Sequence, residues 1–148
     1  MVTRQAPSRR AEAALEAIAF GSVAITSRAL LAAGLEVTFA QWRVLVVVGE
    51  DRDGATVSEI ATRLGAEISP ASRLVSRLRR RGLVETHKEP RDRRVTRVRL
   101  TATGQEAREA VLRGRQAVLR KVVAESGPQD AGVEDALERI GVAFLPYR

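Results

Sequence analysis

Apolar residues recur at helical spacing at both ends of the chain. Residues 11–31 are alanine-rich with one apolar stripe, and residues 102–125 carry another stripe behind Thr101, which can cap a helix. A Gly-Pro pair at 127–128 then interrupts the chain, and Asp130 can open a last helix with apolar residues on one side. Both ends are therefore predicted to be helical.

Two capping boxes predict shorter helices in the first half of the chain. In each, a threonine is followed three residues later by a side chain that can reach back to its backbone: Thr38 with Gln41, and Thr56 with Glu59. Three consecutive valines after the first box favour a strand. The cap in front of them favours a buried helix, which is the prediction adopted for this segment.

A third short helix and a pair of strands complete the middle of the chain. Ser69 is predicted to cap this helix, because Pro70 is tolerated in a first helical turn, and Gly82 is suited to end it. Residues 83–88 and 95–100 are predicted strands, the second with a clean alternation of apolar and polar positions. The order predicts a mainly α (α+β) fold, a winged helix-turn-helix with a two-stranded β wing.

The positive charge of the chain is concentrated in one segment. The whole chain has a net charge of +7, whereas residues 69–101 hold eleven basic residues against three acidic ones, a net charge of +8. A solvated face usually pairs both signs, so this excess predicts a nucleic-acid-binding surface. Aromatic residues make up only 3% of the chain, which argues against single-strand and RNA binding by base stacking.

Other kinds of chemistry have few residues to work with. The absence of cysteine excludes disulfides and thiolate metal ligands, and a lone His87 cannot form a zinc site, so it is expected to face phosphate or solvent. No catalytic residues, metal or cofactor are predicted. No stretch reaches the roughly 18 uncharged apolar residues of a membrane span, and a cytoplasmic protein without a membrane partner is expected.

The helix over residues 69–81 has an apolar side and an opposite side of hydroxyls and arginines. The apolar side, expected to dock on the core, consists of Ala71, Leu74, Val75 and Leu78. Serine lets the backbone approach DNA closely, and arginine can bond guanine O6 and N7 together, so the opposite side suits the major groove. Its predicted DNA contacts are Ser69, Ser72, Arg73, Ser76, Arg77 and Arg80.

Position along this helix separates base readers from phosphate contacts. The N-terminal half of a recognition helix normally meets the bases, which favours Ser69, Ser72 and Arg73 as readers. The arginines farther along are expected at phosphates. For Arg79 and Arg81, a solvent-facing role that complements the helix dipole is equally open.

The loop between the two strands is longer and more basic than a tight hairpin needs. Arg91, Arg93 and Arg94 lie at its tip, where they are predicted to enter an adjacent minor groove, whose negative potential is enhanced. Asp92 would be repelled by DNA, so its predicted task is structural, a bidentate pair with Arg94.

A set of motifs in the centre of the chain resembles the MarR (multiple antibiotic resistance regulator) family in order and spacing. In chain order these are Leu64-Gly65, Ser72-Arg73-Leu74-Val75 with Leu78, Arg81-Gly82-Leu83-Val84, Asp92-Arg93-Arg94, Leu100-Thr101 and Gly104. The resemblance is strong over residues 36–105 and extends to the flanking helices by length and position. One departure is Glu67, where the family often has a serine or aspartate cap.

The resemblance implies a homodimer whose terminal helices intertwine and which reads two half-sites of a pseudo-palindrome. The apolar stripes of those helices agree, because a compact wing could not cover them. The expected organisation is a flexible basic N-terminus at 1–10, helical dimerisation regions at 11–35 and 102–148, and a winged helix-turn-helix DNA-binding domain at 36–101. The protein is expected to be a transcriptional regulator that acts as a repressor.

The resemblance also implies an effector cleft between the dimerisation helices and the DNA-binding lobe. Candidate walls are Phe20, Phe39 and Trp42, for a small aromatic molecule, and Arg43, for its anionic group. An ordinary core or solvated role is the alternative for each of them. Two other functions stay open. One is an architectural DNA binder, which would normally insert apolar wedges between bases. The other is a winged helix used for protein contacts, which would not need a net charge of +8 in residues 69–101.

Overall fold

The computed structural model describes residues 8–90, 92–127 and 130–144, and the element order within them is that of a winged helix-turn-helix. In chain order the elements are α1 (Arg9–Ala32), α2 (Phe39–Val48), β1 (Ala55–Thr56), α3 (Val57–Leu64), α4 (Ile68–Arg80), β2 (Val84–Lys88), β3 (Thr96–Leu100), α5 (Ala102–Glu125) and α6 (Ala131–Phe144). The predicted fold class is confirmed.

Both predicted capping boxes are present and begin α2 and α3. The backbone N–H of Thr38 donates to Oε1 of Gln41 at 2.9 Å, and the N–H of Gln41 donates to Oγ1 of Thr38 at 3.2 Å. Thr56 and Glu59 repeat the arrangement at 2.7 and 3.2 Å. The valine run after Thr38 is therefore helical, because the cap and burial on several sides outweigh its strand propensity.

Helix α2 lies at the centre of the core and contacts α3, α4, α5 and β3. Its Val44, Leu45 and Val48 are fully buried, as are side chains from each neighbouring element. The most buried of these neighbours are Ile60, Leu78, Val98 and Val111. This packing holds α3 and α4 on one rigid support, and so fixes the direction in which α4 presents its outer face.

The sheet has three antiparallel strands in the order β1-β3-β2, one more than predicted. The additional strand, β1, has two residues and pairs Ala55 with Val98, too short a segment to leave a pattern in the sequence. Gly54 allows this approach. Its φ is +71°, and an added Cβ would lie 2.0 Å from the carbonyl oxygen of Val98.

Helix α4 begins two residues earlier than predicted. Its N-cap is Glu67, whose side chain makes no capping hydrogen bond, and Ser69 lies inside the first turn, so the predicted Ser69 cap was wrong. The reason lies in the preceding turn. Gly65 ends α3 in the left-handed conformation, and the Ala66 N–H donates back to Ala61 at 3.0 Å, so the chain is already turned when it reaches Glu67.

The terminal helices are partly uncovered. Ser8 caps α1, so Arg9 and Arg10, predicted to be part of the flexible N-terminus, lie in its first turn, while residues 1–7 are outside the described ranges. Asp130 caps α6 as predicted, through the Val133 N–H at 2.9 Å. Helix α1 packs along α5, and no residue of α6 is buried.

Helix α1 is also long and apolar enough to cross a membrane when up to two charged residues are allowed, although Glu16 and Arg28 keep it short of the uncharged stretch considered in the sequence. These criteria alone are weak evidence, because the core helix of a globular protein can pass them too. In this fold α1 packs against the rest of the chain, since its Ala29 and Leu30 are buried.

Candidate nucleic-acid interface

Helix α4 presents the predicted contact residues away from the core. Ala71, Val75 and Leu78 are buried and Leu74 is partly buried, as the helical period predicts. On the other side, the predicted contacts are exposed except for Ser76, which is half-buried. The exposed ones are Ser69, Ser72, Arg73, Arg77 and Arg80.

Two of the predicted base readers contact each other along the helix. Nη1 of Arg73 donates to Oγ of Ser69 at 3.4 Å, one turn towards the N-terminus. This contact directs the guanidinium along the first turn of α4, which is the part of a recognition helix that meets base edges. It occupies one of the five N–H groups of Arg73, so the remaining donors stay available.

The arginines of α4 have no acidic partner among the described residues. This holds for Arg73, Arg77, Arg79 and Arg80 within the helix and for Arg81 at its C-cap. Four of these five lie in the last turn or at its end, where they also complement the helix dipole. The helix dipole accounts for the position of these arginines but does not neutralise their charge. A phosphate-binding surface requires such unneutralised cations.

The wing tip confirms a pair between Asp92 and Arg94 but not its predicted geometry. The backbone N–H and Nε of Arg94 both donate to the same carboxylate oxygen, Oδ1 of Asp92, at 3.0 and 3.3 Å. The residues are two apart, so the backbone takes part and the contact closes a turn rather than a two-oxygen fork. The Arg94 side chain is still 93% exposed, Arg93 is exposed, and Arg91 lies outside the described residues.

At the base of the wing, by contrast, the arginines are paired. Arg97 donates from Nε to Glu89 at 2.7 Å and from Nη1 to the Gly54 carbonyl at 3.3 Å, and Glu59 lies 3.8 Å away. The bond to Glu89 raises the pKa of Arg97 above its ordinary value. Arg99 donates to the backbone and carboxylate of Asp53 at 3.2 and 3.1 Å. These two arginines fasten β3 to the segment around β1.

His87 was expected to face phosphate or solvent. It is half exposed on β2, and its Nε2 lies 2.9 Å from Oε1 of Glu85, two residues before it on the same strand. The ring therefore has a carboxylate partner on the protein. Within the described ranges no cluster of three potential ligands could hold a metal ion.

A cavity of about 490 Å³ between α1, α2 and α5 contains three of the four predicted effector residues. Phe39, Trp42 and Arg43 line it, while Phe20 is 74% exposed elsewhere on α1. Arg43 donates to the Leu64 and Arg63 carbonyls at the end of α3, both at 3.3 Å. Two of its five N–H groups are thus bonded to a helix terminus, and its role as the partner of an anionic effector stays a prediction.

Arg63 and Arg115 also line this cavity, and Arg115 of α5 was not predicted from the sequence. The environment of Arg115 is distinctive. It is half-buried, its Nη1 donates to the hydroxyl of the fully buried Thr26, and burial lowers its pKa below the ordinary value. The available signal was its spacing. Arg115 follows the buried Val111 by four residues, which places a charge on the inward side of α5.

Fold and surface together define a winged helix-turn-helix protein with an uncompensated basic helix and a basic wing tip. A family model described as "MarR family" matches residues 35–95. Over 70 residues the chain is 37% identical to the HTH-type transcriptional repressor IacR of Pseudomonas putida, a match that covers 47% of this chain and 41% of that relative's length.

Solved structures extend the similarity to nearly the whole chain. A MarR family protein from Bacillus stearothermophilus has a TM-score of 0.74 and 26% identity, with 94% of this chain and 96% of that one covered. CouR from Rhodococcus jostii RHA1, solved with bound p-coumaroyl-CoA, has a TM-score of 0.72 and 25% identity, with 97% and 96% covered. The central part of the chain therefore resembles the MarR family, and nearly the whole chain has the fold of solved structures described as members of that family.

Proposed function

We propose that this protein is a cytoplasmic transcriptional repressor that binds a pseudo-palindromic duplex DNA operator as a homodimer. The observation that carries the proposal is the outer side of α4 and its C-cap, where five arginines without an acidic partner in the described chain stand beside serine hydroxyls. The repressor IacR, which is similar over less than half of its length, supports the direction of regulation.

The contacts divide by position. Ser69, Ser72 and Arg73 meet base edges in the major groove, because they occupy the first turns of α4. Ser76, Arg77 and Arg80 hold the phosphates that flank the groove. Arg91, Arg93 and Arg94 enter the neighbouring minor groove, and Asp92 closes the turn at Arg94.

A second copy of the chain covers the exposed apolar residues of the terminal helices. In a single chain these side chains are between 38% and 60% exposed on α5 and α6, and α6 has no buried residue. They include Val118, Leu119, Val122, Val123, Val133, Leu137, Val142 and Phe144. A two-fold dimer would bury them and place two α4 helices about one DNA turn apart.

A small aromatic or anionic effector occupies the cavity between α1, α2 and α5. Phe39 and Trp42 supply an apolar wall, and Arg43 and the half-buried Arg115 supply cations that have no carboxylate partner in the described chain. The p-coumaroyl-CoA bound to CouR, an aromatic acyl compound, supports an effector of this chemistry. Binding there would act on DNA affinity through α2, which supports both α3 and α4.

Selection of bound fragments from random and genomic duplexes tests the DNA-binding proposal. We expect enrichment of one motif with two inverted half-sites, and a dimer by light scattering at micromolar concentration. Binding without any enriched motif would favour an architectural DNA binder. No binding to any duplex at low salt would contradict the proposal and leave a winged helix used for protein contacts.

A further inference from the structure

The hydroxyl of Thr101 takes part in two hydrogen bonds at the start of α5. Its Oγ1 accepts from the backbone N–H of Gly104 at 3.0 Å, which caps the helix. The same hydroxyl donates to the carbonyl oxygen of Gly82 at 2.5 Å, just after the end of α4. One side chain therefore caps α5 and also bonds the segment that follows α4.

The backbone around this hydroxyl strengthens the connection. The N–H of Thr101 donates to the Leu83 carbonyl at 3.2 Å, and a Cβ added to Gly104 would lie 1.9 Å from the same oxygen. Gly82 has a φ of +69°, and the N–H of Leu83 donates back to Leu78 at 3.1 Å, so both carbonyls belong to the turn that ends α4. We call these contacts of Gly82, Leu83, Thr101 and Gly104 the α4–α5 junction.

The α4–α5 junction connects the two parts of the molecule to which the proposed function assigns DNA binding and dimerisation. Helix α4 packs on α2, α3 and β2, whereas α5 packs mainly along α1. The hydrogen bonds of Thr101 join these two groups of elements directly. Because α5 is proposed to carry dimer contacts, the angle between α5 and α4 determines where the α4 of a second copy lies.

We propose that Thr101 is a positioning residue that sets the spacing of the two DNA half-sites without contacting DNA. This inference rests on the proposed DNA binding by a dimer. Each base pair inserted between the half-sites separates them by about 3.4 Å and rotates them by about 34°. A dimer accepts a new spacing only if α4 turns relative to α5. The bond from Thr101 to Gly82 opposes that turn, because the turn would break it.

Two substitutions separate the cap of α5 from the junction. Thr101→Ser keeps the hydroxyl and therefore both hydrogen bonds. Thr101→Asp keeps an acceptor for the Gly104 N–H, and aspartate is a favoured N-cap residue, but an ionised carboxylate cannot donate to the Gly82 carbonyl. If Thr101 were only a cap, Thr101→Asp would behave like the wild type. A positioning role predicts that it behaves differently.

Amide hydrogen exchange of the DNA-free protein tests the junction itself. In Thr101→Asp the amides of Leu83 and of position 101 should exchange about fivefold faster, the equivalent of one hydrogen bond, while the capped amide of Gly104 keeps its protection. Thr101→Ser should leave all three amides unchanged. Equal exchange at Leu83 in the wild type and Thr101→Asp would overturn the proposal. Faster exchange at Gly104 alone would also overturn it, because the hydroxyl would then act only as a cap.

Fluorescence anisotropy tests the consequence for spacing, with the selected operator and with duplexes whose half-sites are moved apart by a base pair. The wild type should prefer the operator. In Thr101→Asp this preference should fall by about fivefold, and in Thr101→Ser it should be retained. Affinity for an isolated half-site should be equal in all three proteins, because the base contacts of α4 are intact. An unchanged spacing preference in Thr101→Asp would contradict the proposal.

Gly104→Ala is an independent variant, and Gly21→Ala is its matched control. Both exchange a helical glycine for alanine, but the new Cβ would collide with the Leu83 carbonyl at position 104 and would meet nothing within 4 Å at position 21. Gly104→Ala should therefore relax the spacing preference, and Gly21→Ala should not. If Gly104→Ala does not fold, Thr101→Asp still decides the question.

Failure of the proposed function has a different signature. The wild type would then bind no duplex, or would be a monomer by light scattering, while the faster exchange at Leu83 in Thr101→Asp would persist. That result would overturn the role in half-site spacing together with DNA binding, and it would leave the bond between Thr101 and Gly82 established. Normal duplex binding with no exchange difference would overturn the inference alone.

Discussion

Helix α4 and the base of the wing contain the same residue type for different purposes. The arginines of α4 have no acidic partner in the described chain, whereas Arg97 and Arg99 of β3 are bonded to Glu89 and Asp53 at 2.7 and 3.1 Å. Both sets of arginines contribute to the net charge of +8 in residues 69–101. The comparison teaches that charge density locates a nucleic-acid surface only approximately, and that the pairing of each cation separates binding groups from structural ones.

The largest expected effect is on the wing base, through Gly54. Alanine at this position must adopt a φ of +71° with its Cβ 2.0 Å from the Val98 carbonyl oxygen. Gly54→Ala should therefore lower the free energy of unfolding by about 3 kcal/mol or more, measured by urea denaturation. Gly21→Ala is the control, because its Cβ meets nothing within 4 Å. If both variants were equally stable, the structural role of the wing base would be contradicted.

A smaller effect, confined to binding, is expected at Arg73. Loss of a two-bond guanine contact removes about 1–3 kcal/mol of discrimination, so Arg73→Ala should lose this on the operator and much less on a scrambled duplex. The urea midpoint should stay unchanged, because the side-chain hydrogen bond that Arg73 makes within the described chain goes to the exposed Ser69. Arg79→Ala serves as control in the same titration. An equal loss of affinity on both duplexes would show that Arg73 contacts phosphate rather than a base.

The N-terminus of α4 offers a gain in stability that the wing base does not. Glu67 occupies the N-cap without a side-chain capping bond, so Glu67→Ser should raise the free energy of unfolding by about 0.5–1 kcal/mol. Thr56→Ala, which removes an existing capping box, should act in the opposite direction. Unfolding curves that move the same way for both variants would contradict this account of α4.

The smallest expected effect is at the wing tip. Arg94 is 93% exposed, and its contact with Asp92 closes a local turn. Arg94→Ala should weaken operator and random DNA alike, by about fivefold or less, because a minor-groove or phosphate contact carries little base identity. Affinity equal to that of the wild type on both duplexes would remove the wing tip from the mechanism.

The features that the sequence predicted correctly are local. The caps at Thr38, Thr56, Thr101 and Asp130 each depend on residues within one helical turn, and all four are present. The apolar side of α4 is equally local, since it follows from the helical period alone.

Apart from the start of α4 at Glu67, which is set by the local turn at Gly65, the features that it missed depend on contacts between distant segments. The β1 strand exists only through its pairing with β3, more than forty residues away. Arg43 donates hydrogen bonds to the end of α3, Arg97 to the Gly54 carbonyl, and Arg115 to the Thr26 hydroxyl. A count of charges along the chain cannot distinguish these arginines from those of α4, because the pairing is decided by tertiary structure.

The most direct measurement of the central claim is the salt dependence of DNA affinity for Arg80→Gln and Arg99→Gln. A lost phosphate contact lowers the slope of log K against log salt by about one. We expect this for Arg80→Gln, with the thermal midpoint unchanged, and the reverse for Arg99→Gln, an unchanged slope with a lowered midpoint. An equal fall in slope for both variants would contradict the division between paired and unpaired arginines.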